Sequence, residues 1–166
     1  MTCLFELSIA LLITLLNGFF VMAEYSLVRI RKSRLDELIR QGKSRANTVL
    51  KMSEKLDTYL SATQLGITAS SLLLGWFGGP LLAEMFRGMF GVSAGTWYDH
   101  SLVFACAFLI IVFLHVVFGE LVPRTIALGK VEQVAMAVAY PLVFFHYLLY
   151  PLVVLFNRSP MLYCAF

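Results

Sequence analysis

The sequence predicts an all-α integral membrane domain: three transmembrane helices plus a Pro-broken juxtamembrane helical segment. Three observations carry this reading. Of 166 residues, 60% are hydrophobic and only 14% charged, whereas soluble domains run near 45–50% apolar and about 25% charged. Mean hydropathy is +0.82. The charges also cut the chain into uncharged runs of about the length a membrane-spanning helix needs. This composition excludes a disordered chain, a disulfide scaffold and a collagen-like fibre, and it argues against a soluble enzyme.

The elements follow in order. Leu7 to Ala23 is uncharged between Glu6 and Glu24 and extends to about Val28, giving a first span near 4–28. The first basic residue is Arg29, so the basic start of a cleaved signal peptide is lacking and a retained anchor is expected. Nine of the 13 basic residues then lie between Arg29 and Lys55. The positive-inside rule puts that loop in the cytoplasm and the N-terminus outside. Within it Leu35, Leu38, Ile39, Ala46, Val49, Leu50 and Leu56 recur at helical spacing, and Gly42 divides them into two short helices. Those helices either lie on the inner face beside acidic lipid or form a solvated face that only sets topology.

Thr58 to Ala83 supplies a second span near 59–83, and Gly75-Trp-Phe-Gly-Gly79 before Pro80 predicts a turn or helix break where it ends. His100 to Gly119 supplies a third near 101–122. Gln133 to Asn157 is also apolar, but Pro141 and Pro151 interrupt it and Tyr140, Tyr147 and Tyr150 decorate it. Tyrosine favours the membrane–water interface, so this run either spans or lies as a bent belt, about 131–157. Cys3, Cys106 and Cys164 fit no zinc or disulfide framework.

Ionisable groups at membrane depth are costly and mark candidate sites. Glu24 ends the first span, and Glu120 sits in Phe118-Gly-Glu-Leu-Val-Pro-Arg124. Pro123 has no N–H and disfavours helix at Val122, so carbonyls near Gly119 should lose their usual partners. A carboxylate beside freed carbonyls suits a hard cation such as Mg²⁺ or Na⁺; a Glu120–Arg124 pair that merely ends the helix is the competing reading. Ser61, Gln64, Thr68 and Ser71 share one face of the second span, and Asn17 shares a face with Glu24. These polar faces either converge with Glu120 or pack helices in lipid. His115, five residues before Glu120 on an ideal helix, is expected to be a packed or hydrogen-bonded histidine. There is no P-loop, no HExxH and no nucleophile–His–acid set, so no catalytic residue and no enzyme activity are expected.

Three stretches together resemble the transmembrane domain of the CNNM/CorC (hemolysin-related) family: Asn17-Gly-Phe-Phe-Val-Met-Ala-Glu-Tyr-Ser-Leu-Val28 with Ser33-Arg-Leu35; Leu56-Asp-Thr-Tyr-Leu-Ser-Ala-Thr-Gln-Leu-Gly-Ile-Thr68 with Leu74-Gly-Trp76; and Phe118-Gly-Glu-Leu-Val-Pro-Arg-Thr-Ile-Ala-Leu128. The resemblance covers roughly Leu7 to Asn157. It implies three spans, a juxtamembrane belt at 131–157, a homodimer in the cell (plasma) membrane with its N-terminus outside, and Mg²⁺ transport by export in exchange for Na⁺. It implies a metal site that uses Glu120 with polar groups of the first two spans; from the residues read above, the backbone near Gly119, then Gln64, Thr68 and Ser71, and Glu24 as ligand or gate-side acid, are the expected companions.

Departures are visible. Val21 and Ala23 stand where many transporting members carry serines, and Arg124 replaces the family lysine. Relatives carry cytoplasmic CBS domains whose pair binds ATP. Here residues 1–157 match the membrane domain, 158–166 are expected to be an atypical or truncated tail, and no ATP site is expected in the chain. Membrane lipid is the expected partner and nucleic acid is not. The competing functional readings are a non-transporting membrane anchor and an inactive truncated family member.

Overall fold

A computed structural model describes residues 2–90 and 97–163, and among them every regular element is helical. The helices are α1 (Thr2–Arg29), α2 (Lys32–Arg40), α3 (Ser44–Glu54), α4 (Leu56–Phe90), α5 (Trp97–Leu114), a π-helical turn (His115–Leu121), α6 (Val122–Gly129) and α7 (Val131–Tyr163). The expected tail at 158–166 lies in part outside the described residues.

The surface is unlike that of a water-soluble protein, with many large apolar side chains exposed and several polar ones buried. Asn17 is 1% exposed and Ser26, Thr63 and Ser70 are buried, while Leu12 is 66%, Phe113 66% and Trp76 80% exposed. Large apolar side chains facing outward over buried polar ones suit a solvent of hydrocarbon. Among the described residues, three helical stretches are long and apolar enough to cross a membrane: Leu7–Arg29, Phe108–Gly129 and Val131–Leu152. The second predicted span, 59–83, falls inside α4.

The structure departs from the sequence expectations at three places. The Gly75–Pro80 segment does not break its helix, because α4 runs on to Phe90. The glycine there serves packing instead: a Cβ on Gly78 would stand 2.6 Å from Ile111 Cδ1, so its hydrogen lets α4 and α5 approach closely. Val122 is helical, with φ −64° and ψ −51°; the backbone before Pro123 widens rather than stops. Pro141 and Pro151 each remove one helical hydrogen bond, yet α7 continues through both as a helix, a disruption that apolar helices tolerate when neighbours repack around it.

The described chain forms two compact units, Met1–Gly18 with Thr68–Val122, and Phe19–Ile67 with Pro123–Phe166. In the second, α2 and α3 make a basic hairpin. Gly42, with φ +81°, ends α2 in the left-handed conformation that glycine adopts without cost. The Gly42 N–H bonds to Ile39 O and the Lys43 N–H to Leu38 O, a Schellman cap. The hairpin buries Leu35, Leu38, Ala46, Val49 and Met52, and α3 packs on α7. Arg34 donates from Nε to Glu132 Oε1 at 2.6 Å and from Nη1 to Glu37. Those two carboxylates hold the guanidinium firmly charged. The pair is exposed and contributes little stability; the buried leucines of α2 hold the hairpin.

Phe20 anchors the same unit. Its ring meets Phe145 edge-on at 5.1 Å and Phe19 at 5.3 Å, and a Cβ on Gly66 would stand 2.6 Å from three of its ring carbons. With Phe19 and Phe145 hemming it in, the ring has little room to yield. Gly66→Ala is therefore expected to destabilise the folded domain by about 1–3 kcal/mol. Adding Phe20→Leu should make the loss less than additive. Thermal unfolding in detergent measures both; a neutral Gly66→Ala would mean the ring gives way freely.

Candidate functional site

The site grows from one missing hydrogen-bond donor. In an α-helix the N–H of residue 123 would bond the carbonyl of Gly119, but residue 123 is proline. The backbone answers by widening over His115–Leu121, with the Val122 N–H reaching back five residues to Val117 O. Single π turns of this kind concentrate at functional sites. The Gly119 carbonyl, whose α-helical donor would be Pro123, accepts from Asn17 Nδ2 at 2.9 Å. This bond is buried and joins residues 102 apart in sequence.

The bond fixes the Asn17 amide. The nitrogen must face the carbonyl, so the oxygen Oδ1 faces away, and it is buried with no hydrogen-bond partner among the described residues. His115 closes the other side of Gly119. A Cβ on Gly119 would stand 3.0 Å from His115 Nδ1 and 3.2 Å from Asn17 Nδ2, so only glycine leaves the three groups together. His115 Nε2 lies 3.2 Å from Ser71 Oγ, while Nδ1 is buried and unpartnered. Glu120, the next residue after Gly119, is exposed and lies within electrostatic reach of the His115 ring. All five residues belong to the first compact unit.

The predicted site residues distribute as follows. Gly119 and Ser71 meet around His115, and Glu120 adjoins them. Thr68 lies in the same unit on the exposed side of α4. Gln64 and Glu24 belong to the second unit; Gln64 is exposed and Glu24 half-buried. Ser61 bonds back to the Asp57 carbonyl at 2.9 Å, the capping-type use of a helical hydroxyl. Arg124, the alternative partner considered for Glu120, stands over the Tyr25 ring at 4.6 Å.

Asn17 and His115 are the additions. Asn17 had been placed only on a shared face with Glu24. On an ideal helix His115 points well away from Glu120, but π widening brings residues four and five apart nearer alignment. The proline four residues beyond Gly119 was the signal for both. A cavity of about 290 Å³ is lined by Leu7, Leu11, Thr14, Leu74, Ile111 and His115 among others. It is apolar, and the Thr14 hydroxyl is taken by Ala10 O at 2.9 Å.

Comparison with known proteins decides the family. The profile of the Cyclin M transmembrane N-terminal domain matches residues 7–164. This chain belongs to the CNNM family. The CNNM domain is 42% identical over 151 residues to the UPF0053 protein YhdT of Bacillus subtilis, covering 90% of this chain and 33% of that protein. It is 41% identical over 145 residues to YugS of the same organism, covering 87% of this chain and 34% of YugS. Rv1841c of Mycobacterium tuberculosis is 38% identical over 150 residues, 90% of this chain and 43% of that protein. The chain thus spans about a third of the length of the Bacillus relatives.

In the CNNM domain the Asn17–Gly119 bond is a buried tertiary bond. Asn17→Leu removes that donor from a buried carbonyl, which should cost about 1–3 kcal/mol. The apparent Tm in detergent should fall accordingly. An unchanged Tm would show that the π turn stands without Asn17.

Proposed function

We propose that this domain binds a divalent cation at membrane depth and passes it across the bilayer. Mg²⁺ is the ion the family resemblance implies, and exchange for Na⁺ its coupling. The observation that carries the reading is the buried, unpartnered Oδ1 of Asn17, whose amide is held by the Gly119 carbonyl. A bare amide oxygen and a carbonyl with a second lone pair, next in sequence to a carboxylate, are the kind of oxygen ligands a hard cation takes. A non-helical hydrogen-bond pattern within a spanning helix is what transporter ion sites use.

Each residue has a role in this reading. Glu120 supplies the formal charge and, being exposed, receives the hydrated ion. Gly119 O and Asn17 Oδ1 replace part of its hydration shell, which matters because Mg²⁺ dehydrates reluctantly. Thr68 and Ser71 extend the polar face of α4. Glu24 and Gln64, which belong to the second unit, are second-rank candidates. The cytoplasmic CBS pair of longer relatives, a homodimer and the plasma membrane belong to the same proposal.

The placement of α7 at the inner face is part of it. Charged α3 packs on the first half of α7, and Arg45 of α3 stands 5.6 Å over the Tyr140 ring. A helix packed on a basic hairpin in this way suits the level of the headgroups, where lysine and arginine meet lipid phosphate. A cysteine at Tyr147, which is 72% exposed, should react with membrane-impermeant maleimide in inside-out vesicles. Protection there, as at a control position in the middle of α1, would make α7 a fourth span.

Glu120→Gln tests the transport reading. A ligand that binds only the folded state adds RT ln(1 + [L]/Kd), about 2.7 kcal/mol at a hundredfold excess over Kd. The wild type should show a saturable cation-dependent rise in Tm and cation flux in proteoliposomes, and Glu120→Gln should lose both while keeping its unliganded Tm. A folded wild type that responds to no cation would instead leave a membrane anchor.

A further inference from the structure

The cation reading makes His115 a decisive residue, because Mg²⁺ has little use for nitrogen. It takes oxygen ligands in a tight octahedron, whereas imidazole suits the first-row transition metals. What matters is which ring nitrogen of His115 carries its proton, and the contact with Ser71 bears on it.

Helical hydroxyls in this chain spend their proton on the backbone of the preceding turn. Thr14 bonds to Ala10 O, Ser26 to Ala23 O, Ser53 to Leu50 O, Ser61 to Asp57 O and Thr63 to Leu60 O. A hydroxyl used in that way has only lone pairs left to offer sideways. Ser71, on the same kind of helix, lies 3.2 Å from His115 Nε2. A Ser71 that bonds in the same way accepts from a proton on Nε2, and the lone pair is then on Nδ1. That lone pair is buried, has no donor among the described residues and flanks Gly119. Asn17 Oδ1 has the same status. A histidine with one nitrogen bare and the other fixed by a hydrogen bond is how proteins prepare a metal ligand.

We infer that the ion handled at this site is a first-row transition divalent cation, Mn²⁺ or a later member of the series, bound in part through His115 Nδ1, and that Mg²⁺ is its weaker competitor. The inference rests on the cation-site reading and narrows the ion. Its donor set mixes one imidazole nitrogen with the oxygens of Asn17, Gly119 and Glu120. Ser71 is a positioning residue that holds the ring by its far side. Affinity should rise from Mn²⁺ through Co²⁺ along the Irving–Williams order.

The test compares Mn²⁺, Co²⁺ and Mg²⁺ in thermal-shift titrations of the purified domain in detergent, for the wild type, His115→Gln, Ser71→Ala and His146→Gln. The last is a control, since His146 lies in the other compact unit. Wild type and control should bind Co²⁺ and Mn²⁺ at least about tenfold more tightly than Mg²⁺. His115→Gln should erase that preference while still binding Mg²⁺, and Ser71→Ala should weaken Mn²⁺ by about tenfold, the usual effect of removing a ligand's hydrogen-bond partner. Pulsed EPR of Mn²⁺ on the unmutated protein should show a histidine nitrogen coupling, which needs no variant to fold. Mg²⁺ binding equal to Mn²⁺, or no nitrogen coupling on bound Mn²⁺, overturns the inference and leaves a Mg²⁺ site standing. A folded wild type that binds none of the three ions overturns both.

Discussion

A single absent proton organises the candidate site. Pro123 cannot donate to the Gly119 carbonyl, and in hydrocarbon there is no water to take its place. The carbonyl must find a donor within the protein, and Asn17 of α1 supplies it at 2.9 Å. That one bond ties the first helix to the π turn of the third apolar segment. It orients the Asn17 amide, and it requires that residue 119 have no side chain, because a Cβ would meet both His115 and Asn17. The π turn, the buried asparagine and the glycine are thus three consequences of the same constraint.

The two compact units are held by different forces. The unit containing the basic hairpin is held by buried leucines, by the aromatic cluster of Phe19, Phe20 and Phe145 and by a glycine-capped turn. Its ion pairs are exposed and serve topology more than stability. The unit containing the π turn relies on close helix approach at Gly78 and on buried polar groups. In lipid, apolar surface provides no drive for helices to associate, so packing of small residues and hydrogen bonds take that part. Polar groups retained there at such cost are the natural place for chemistry.

The sequence made the fold class, the basic loop, its division at Gly42 and the CNNM membership legible, because each depends on local composition or spacing. Uncharged runs report membrane spans through solvent transfer alone, and a glycine in a polar turn reports a helix end through its backbone freedom. The same local logic misjudged Gly75–Pro80, Val122, Pro141 and Pro151. Glycine and proline are strong breakers in water, but in these long apolar segments the helix continues through them.

The sequence by itself determined that a carbonyl near Gly119 would be released and that a carboxylate, Glu120, would stand beside it. Those facts follow from the covalent structure of proline and from the order of residues. It did not determine which donor claims that carbonyl, which acceptors are left bare, or that His115 turns toward Gly119. Those depend on the wider winding of the π turn and on contacts between residues up to 102 positions apart. Spacing on an ideal helix puts His115 well round the cylinder from Glu120, and the wider π winding brings the two nearer alignment. Hydrogen-bond partnership at a distance is a property of the packed state, and only the tertiary structure decided it.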